Sequence, residues 1–345
     1  MKKALYILSF LLISVPVFFF LGPRPQFDTV DPKITAINIP LDSLEGYLTW
    51  KESQVENLKP NNQSQVIWLD SVRKTDYAMV YLHGFSAGIQ ESDPVHRILA
   101  KKYGMNLYLH RIIGHGIDDP ESFRDLTPGE MINSAKEAIA IAQIIGKKII
   151  VISCSTGGTV SIYLTAHNPS LIHAQIMYSP NITLYDPKGP LVTGPWGRQI
   201  IKQVIGDYRD HDSSYYGTEI EQFWTLRYRS EGIIALQALL DQTMTEDVFQ
   251  KINSPYFMGY YYKTDKVSDH VVSTHAMLEF DKKTSTKSNQ KKAVAFPNVG
   301  NHVIASDLRS EDIESVVIET SAFIENVLGI QPIYSELNPN LPGNN

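Results

Sequence analysis

Short apolar runs alternate with segments of helical period along most of this chain. The runs at Val66–Leu69, Tyr77–His83, Asn106–His110, Lys148–Ser153, Ile172–Tyr178, Tyr256–Tyr262 and Lys292–Phe296 predict strands. Between them, helices are expected at Asp93–Tyr103, Pro128–Ile145, Ser155–His167, Asp269–Asp281 and Ser310–Leu328. The helix from Pro128 has the strongest start signal. Thr127 precedes proline at the first turn, and Glu130 follows three residues after the threonine, close to a capping box. Strands alternating with helices in this way predict an α/β architecture, a doubly wound and mostly parallel sheet. No internal repeat is visible.

Two stretches break the alternation. At the N-terminus, Lys2 and Lys3 precede an apolar run from Ala4 to Leu21, interrupted only by Ser9, Ser14 and Pro16. A spanning helix needs about 20 apolar residues and a signal-peptide core about 7–15, so this run falls between them. The exit, Phe20-Leu21-Gly22-Pro23-Arg24-Pro25, offers no small-x-small cleavage site, which favours an uncleaved signal anchor over a cleaved signal peptide. On either reading the protein is exported. The two lysines keep the N-terminus cytoplasmic and put the rest outside, on the periplasmic face if the cell is bacterial.

Residues 1–22 are therefore expected to be a membrane anchor or signal peptide. Residues 23–64 read as a linker and N-terminal edge segment, with proline-rich Gly22–Pro32 as a stalk and Lys33–Pro40 as a possible edge strand. Residues 65–330 form the main domain and 331–345 a tail. The second break runs from about 181 to 254. It lacks a clear strand and is dense in aromatics: Trp196, Tyr208, Tyr215, Tyr216, Phe223, Trp224 and Tyr228. An insertion of that length between sheet strands is expected to be a helical cap over the strand ends; the alternative is a lobe whose aromatics form their own core.

Composition narrows the class of partner. With 43% hydrophobic residues over 345 positions, the chain can bury a substantial core as one domain. A net charge of −6 with scattered basic residues argues against nucleic acid. The single cysteine, Cys154, excludes an intrachain disulfide and a multi-cysteine metal site.

The candidate chemistry centres on Ser153-Cys154-Ser155-Thr156-Gly157-Gly158, which follows the strand from Lys148 directly. A strand ending in small-x-Ser-x-Gly and entering a helix puts the central serine on a tight, strained turn. Its hydroxyl then projects from the sheet, and the next N–H lies at a helix N-terminus. Ser153 stands where glycine is usual, and a small residue satisfies the sterics there. Cys154, on the strand side of the turn, is expected to be a buried, inert thiol. His83-Gly84-Phe85-Ser86 ends the strand from Tyr77. The glycine lets the backbone turn so that the Phe85 N–H, with that of Thr156, could form a two-donor oxyanion hole.

A serine nucleophile needs a base and an acid to orient it. Asp265 falls at the exit of the strand from Tyr256 and is the expected acid. Asp269, which looks like the cap of the next helix, is the reserve. His302 follows the last strand in a loop and is the expected base. The order Ser, Asp, His is that of the α/β-hydrolases.

From about Val66 to Leu328 the chain resembles the α/β-hydrolase superfamily, and its lid position resembles the monoacylglycerol lipase and carboxylesterase branch. The landmarks are His83-Gly84-Phe85-Ser86, Gly114-His115-Gly116, the turn at Ser155, Asp265-Lys266-Val267 and His302. The resemblance implies that His302 takes the proton of Ser155, which attacks an ester carbonyl while the Phe85 and Thr156 amides hold the oxyanion. The alcohol leaves, and water then hydrolyses the acyl-enzyme. No metal or organic cofactor enters, and the substrate is a small-molecule ester or lipid. A thioesterase, a peptidase or an acyltransferase could use the same triad. Glu219 and Glu221 could serve a peptidase as a terminus site, although a solvated helix face explains them as well. A non-catalytic binding protein on this fold is the alternative from another class.

Overall fold

A mixed sheet organises the molecule. The computed structural model describes residues 14, 16–211 and 218–333. Its strands are β1 (Gln65–Ile67), β2 (Thr75–Leu82), β3 (Asn106–His110), β4 (Gly146–Cys154), β5 (Ile172–Tyr178), β6 (Tyr208–Asp210), β7 (Arg227–Arg229), β8 (Tyr256–Thr264), β9 (Val267–Ser268) and β10 (Lys291–Phe296). The main sheet runs β1-β3-β2-β4-β5-β8-β10. β1 is antiparallel to β3, and the remaining neighbours along that path are parallel.

Period-two alternation gives the sheet two apolar faces. On β2, Ala78, Val80 and Leu82 join one core, while Met79 and Tyr81 join the other. The first core receives helices Pro128–Ile145 and Thr156–His167, and the second receives Val95–Lys102 and Ile313–Asn326. This is a doubly wound architecture. The capping box at Thr127 is complete: Glu130 N–H donates to Thr127 Oγ1 (3.1 Å), and Thr127 N–H donates to Glu130 Oε2 (2.9 Å). Such a cap contributes about 1 kcal/mol.

The N-terminal segment departs from the linker reading. Lys33–Pro40 pairs with no strand among the described residues. Instead Phe27, Ile34, Ile37 and Ile39 pack on the core and Val30 is buried in it, its carbonyl accepting from the Tyr163 hydroxyl (3.1 Å). Four apolar side chains at irregular spacing lie on a surface without needing a ladder. A helix at Leu44–Ser53 then carries Glu52 into the interior, where it pairs with Arg111 (2.7 Å). Both side chains are buried, so removing one partner would strand a charge at a cost of about 3–5 kcal/mol.

The apolar run from Ala4 lies mostly outside the described residues, as does most of the tail from 331. Among the described residues no helix is long and apolar enough to cross a membrane. What is described of the run ends at Leu21, and Phe18 stacks on Trp196 with ring centroids 5.4 Å apart.

Between β5 and β8 lies the insertion, with helices Gly197–Val204, Thr218–Phe223, Glu231–Thr243 and Glu246–Lys251. It also contains strands, which its sequence does not announce. β6 and β7 form a three-residue antiparallel ladder, too short and too charged to alternate visibly. Ile220, Trp224 and Leu226 of this lobe make a small separate core with Ala87 from the loop after β2, whereas Leu239, Val248 and Phe249 belong to the main core. Tyr215 and Tyr216 lie outside the described residues.

Candidate active site

β4 lies between β2 and β5, and its carboxyl end carries Ser155. Ser155 adopts φ 51°, ψ −119°, a conformation an L-residue holds only when its surroundings fix it. Those surroundings are specific. Its N–H donates to Tyr178 O (3.0 Å), and its carbonyl accepts from Gly158 N–H (2.9 Å) and Asn181 N–H (2.9 Å). The helix that follows then passes so close to β2 that a Cβ on Gly157 would collide with the Leu82 carbonyl. Glycine is therefore required there by contact rather than by conformation. Ser153 is fully buried, and Cys154 is buried beside Glu91, burial pushing its thiol well up. A buried thiol held in its protonated form is a poor nucleophile.

His83-Gly84-Phe85 leaves the end of β2. The Ile112 N–H donates to His83 Nε2 (2.9 Å), so the ring proton sits on Nδ1 and donates to Gly84 O (2.8 Å). Ala87 N–H reaches the same carbonyl (3.3 Å). In a trans peptide the C=O and the next N–H point oppositely, so engaging Gly84 O from one side turns the Phe85 N–H to the other. Neither the Phe85 nor the Thr156 N–H donates to an acceptor among the described residues, and both residues line the cavity that contains Ser155. The Phe85 ring is wedged against Phe123 (4.8 Å) and Tyr228 (5.6 Å). His115, from the Gly-His-Gly loop, packs edge-on to it (5.6 Å), which is a structural part.

The aspartate that meets His302 is the reserve, Asp269, and not Asp265, which the strand pattern put first. β8 continues past the sheet and turns back at Asp265 and Lys266 to pair with β9, with Tyr262 opposite Ser268. Asp265 thus sits at an exposed hairpin tip, where it accepts from the Tyr262 hydroxyl (2.7 Å). The return of the hairpin delivers Asp269 to the interior, and Asp269 Oδ2 lies 2.5 Å from His302 Nδ1. Its other oxygen accepts from Val271 N–H (2.8 Å) and Val272 N–H (3.1 Å). Nor does Asp269 cap the next helix, which starts at Thr274 with Ser273 as its cap.

His302 sits in the loop after β10, its carbonyl held by the Ser179 hydroxyl (2.8 Å). Burial alone would push its pKa down. The Asp269 carboxylate, with Glu91 beyond it, outweighs that effect, and the pKa ends above the ordinary histidine value of 6.5. Its Nε2 is buried with no hydrogen-bond partner among the described residues, and the ring lines the same cavity as Ser155. An imidazole oriented at Nδ1 and open at Nε2, in a cavity that also holds a serine on a strained turn, can accept a hydroxyl proton.

That cavity measures about 430 Å³. Ser155, His302 and Glu91 line it, and the insertion supplies apolar Leu184, Ile205, Ile220 and Leu236 together with Asp186, Arg209 and His211. Glu219 and Glu221 are exposed on their short helix, and neither lines this cavity. Glu91 has no counterpart in the sequence reading. It lies in a 3₁₀ turn, Ile89–Ser92, without periodic signal, and only the folded chain brings it beneath Gly84.

By sequence the chain stands apart: no family model matches it, and no curated protein matches it. Its backbone has many likenesses. One is a metagenome-derived lipolytic enzyme of the LipS and LipT work, with TM-score 0.62 and 14% identity over 78% of this chain and 99% of that one. A monoacylglycerol lipase of Paleococcus ferrophilus gives TM-score 0.56 and 12% identity, covering 76% of this chain and 97% of that one. The soluble variant of monoglyceride lipase from Saccharomyces cerevisiae, solved with a substrate analogue, gives 0.55 and 12%, covering 75% and 89%. The chain has the α/β-hydrolase fold, with a helical insertion between β5 and β8.

Proposed function

We propose that this protein is a serine hydrolase that cleaves carboxylic esters with an apolar acyl group. Ser155 is the nucleophile, His302 the base and Asp269 the orienting acid, with the Phe85 and Thr156 N–H groups as the oxyanion hole. The observation that carries this reading is the His302 imidazole, fixed at Nδ1 by buried Asp269 and open at Nε2 in the cavity of Ser155. His302 takes the Ser155 proton as Oγ attacks the carbonyl, and Asp269 stabilises the resulting imidazolium. Each amide donor contributes about 3–4 kcal/mol to the tetrahedral state. The leaving alcohol receives the proton from His302, and water, activated by the same base, releases the acid.

The apolar side chains lining the cavity support the acyl preference. So do the lipolytic and monoacylglycerol lipase activities named for proteins of similar backbone. The N-terminal run belongs to the same reading as a membrane anchor on an exported protein: Lys2 and Lys3 precede it, and its end at Phe18, Phe20 and Leu21 is exposed and apolar. Retention in the membrane fraction after a carbonate wash is the expected behaviour, and release into the wash would remove the anchor from the reading.

The test of activity is hydrolysis of p-nitrophenyl esters from acetate to palmitate by the detergent-solubilised full chain, with Ser155→Ala alongside. Turnover that disappears in S155A is expected, with a chain-length optimum beyond acetate. A folded wild-type protein inert to the whole series and to a fluorophosphonate probe would overturn the reading.

A further inference from the structure

Glu91 is a buried carboxyl group in the cavity, and the mechanism above does not use it. Its Oε2 accepts from Gly84 N–H (2.5 Å) and from the Tyr81 hydroxyl (3.1 Å). A Cβ on Gly84 would lie 2.6 Å from Glu91 Oε1 and 2.9 Å from Ser155 Cβ, so Gly84 is all that separates the two side chains. Gly84 is consequently held through both of its flanking peptides, its N–H by Glu91 and its C=O by His83 and Ala87. The next amide is Phe85.

We propose that Glu91 is a positioning residue: by taking the Gly84 N–H it fixes the strand end from which the Phe85 amide faces the developing oxyanion. The inference rests on Ser155 being the nucleophile. Reach, not charge, is the property that matters. A carboxylate charge here would oppose the oxyanion it helps to seat, and burial indeed pushes the Glu91 pKa up. The groups facing it are Tyr81 from β2, Cys154 from β4 and His302, with Asp269 behind the histidine. A misplacement of about 1 Å in such a donor is enough to cost about a hundredfold in rate.

Two variants separate reach from charge. Glu91→Gln keeps an acceptor at the same distance and loses the ionisable group; Glu91→Asp keeps the group and withdraws it by one methylene. The endpoint of fluorophosphonate labelling counts folded sites, and kcat is expressed per labelled site. E91Q is expected to hold kcat within about threefold of wild type, while E91D loses at least about tenfold with KM within about twofold. E91D is also expected to label to full stoichiometry at a slower rate. Any other pattern overturns the proposal: both variants near wild type, both slow, or E91Q the slower of the two. Failure of the underlying reading looks different, because the wild-type protein then neither labels at Ser155 nor loses activity in S155A.

Discussion

Asp269 Oδ2 lies 2.5 Å from His302 Nδ1, while Asp265, at the tip of the same hairpin, binds the Tyr262 hydroxyl at 2.7 Å. Two aspartates on one strand exit therefore have separable roles. Asp269→Asn allows the wrong imidazole tautomer and weakens the imidazolium, so kcat is expected to fall about a thousandfold or more. Asp265→Asn, at an exposed turn, is expected to leave kcat within about twofold. Steady-state kinetics on one p-nitrophenyl ester decides between them, and the opposite ranking would return the acid to Asp265.

Acid inactivation of turnover should come early. His302 must be neutral to take the Ser155 proton, and its pKa is raised above 6.5 because Asp269 and Glu91 outweigh burial. As pH falls through that raised value the ring binds a proton and the base is lost, so the acid limb of kcat/KM is expected to have its midpoint above 6.5. A midpoint at or below the ordinary value would mean that another group limits the rate. In Asp269→Asn the main raising influence is gone, and the limb should move to lower pH.

Much of this arrangement is legible in the sequence, and the illegible parts have physical reasons. β3, β5 and the helix from Pro128 are read to the residue, the helix because a capping box marks its start. Ser155, Phe85, Thr156 and His302 follow local rules for turns at strand ends, and the fold brings all four to one cavity. The acid depends instead on how far β8 runs before reversing. A two-residue return strand has no periodicity, and a slip of one hairpin exchanges Asp265 for Asp269. The helix Leu44–Ser53 is hidden for a similar reason, since it buries only Leu44, Leu48 and Glu52. Glu91 is legible only through tertiary contact, across the width of β2 and β4.

Stability should fall in mild acid through the buried histidines. Burial lowers His96 and His115 to about 4, against 6.5 in the unfolded chain. Their folded pKa is depressed, so the unfolded state binds more protons in that window. Stability is complete above 6.5 and is lost as pH falls toward about 4, by about 3 kcal/mol for each group at full protonation. His302 has the opposite sign, since its raised pKa adds stability at low pH and loses it as pH rises through the folded value. Urea unfolding near pH 7.5 and about pH 5 should show a clear drop in the midpoint, smaller in His96→Gln. An equal drop in the variant would clear His96 of any part in it.

The sharpest steric prediction concerns two glycines in opposite settings. Gly157 passes over the Leu82 carbonyl, and an added methyl would also come within 2.9 Å of His83 O. All of those atoms are backbone, belonging to the strand that also supplies the Phe85 amide, so nothing can swing aside. Gly157→Ala is expected to cost more than about 3 kcal/mol, lowering Tm by more than about 6 °C or preventing folding. Gly46 lies in the helix Leu44–Ser53 with nothing within 4 Å of an added Cβ. There alanine relieves the entropy of a helical glycine, and Gly46→Ala is expected to stabilise by about 0.5–1 kcal/mol. Paired thermal melts read both signs at once. A G157A protein that melts with the wild type would mean that the helix can lift away from β2, and the Ser155 turn would then not be held by that contact.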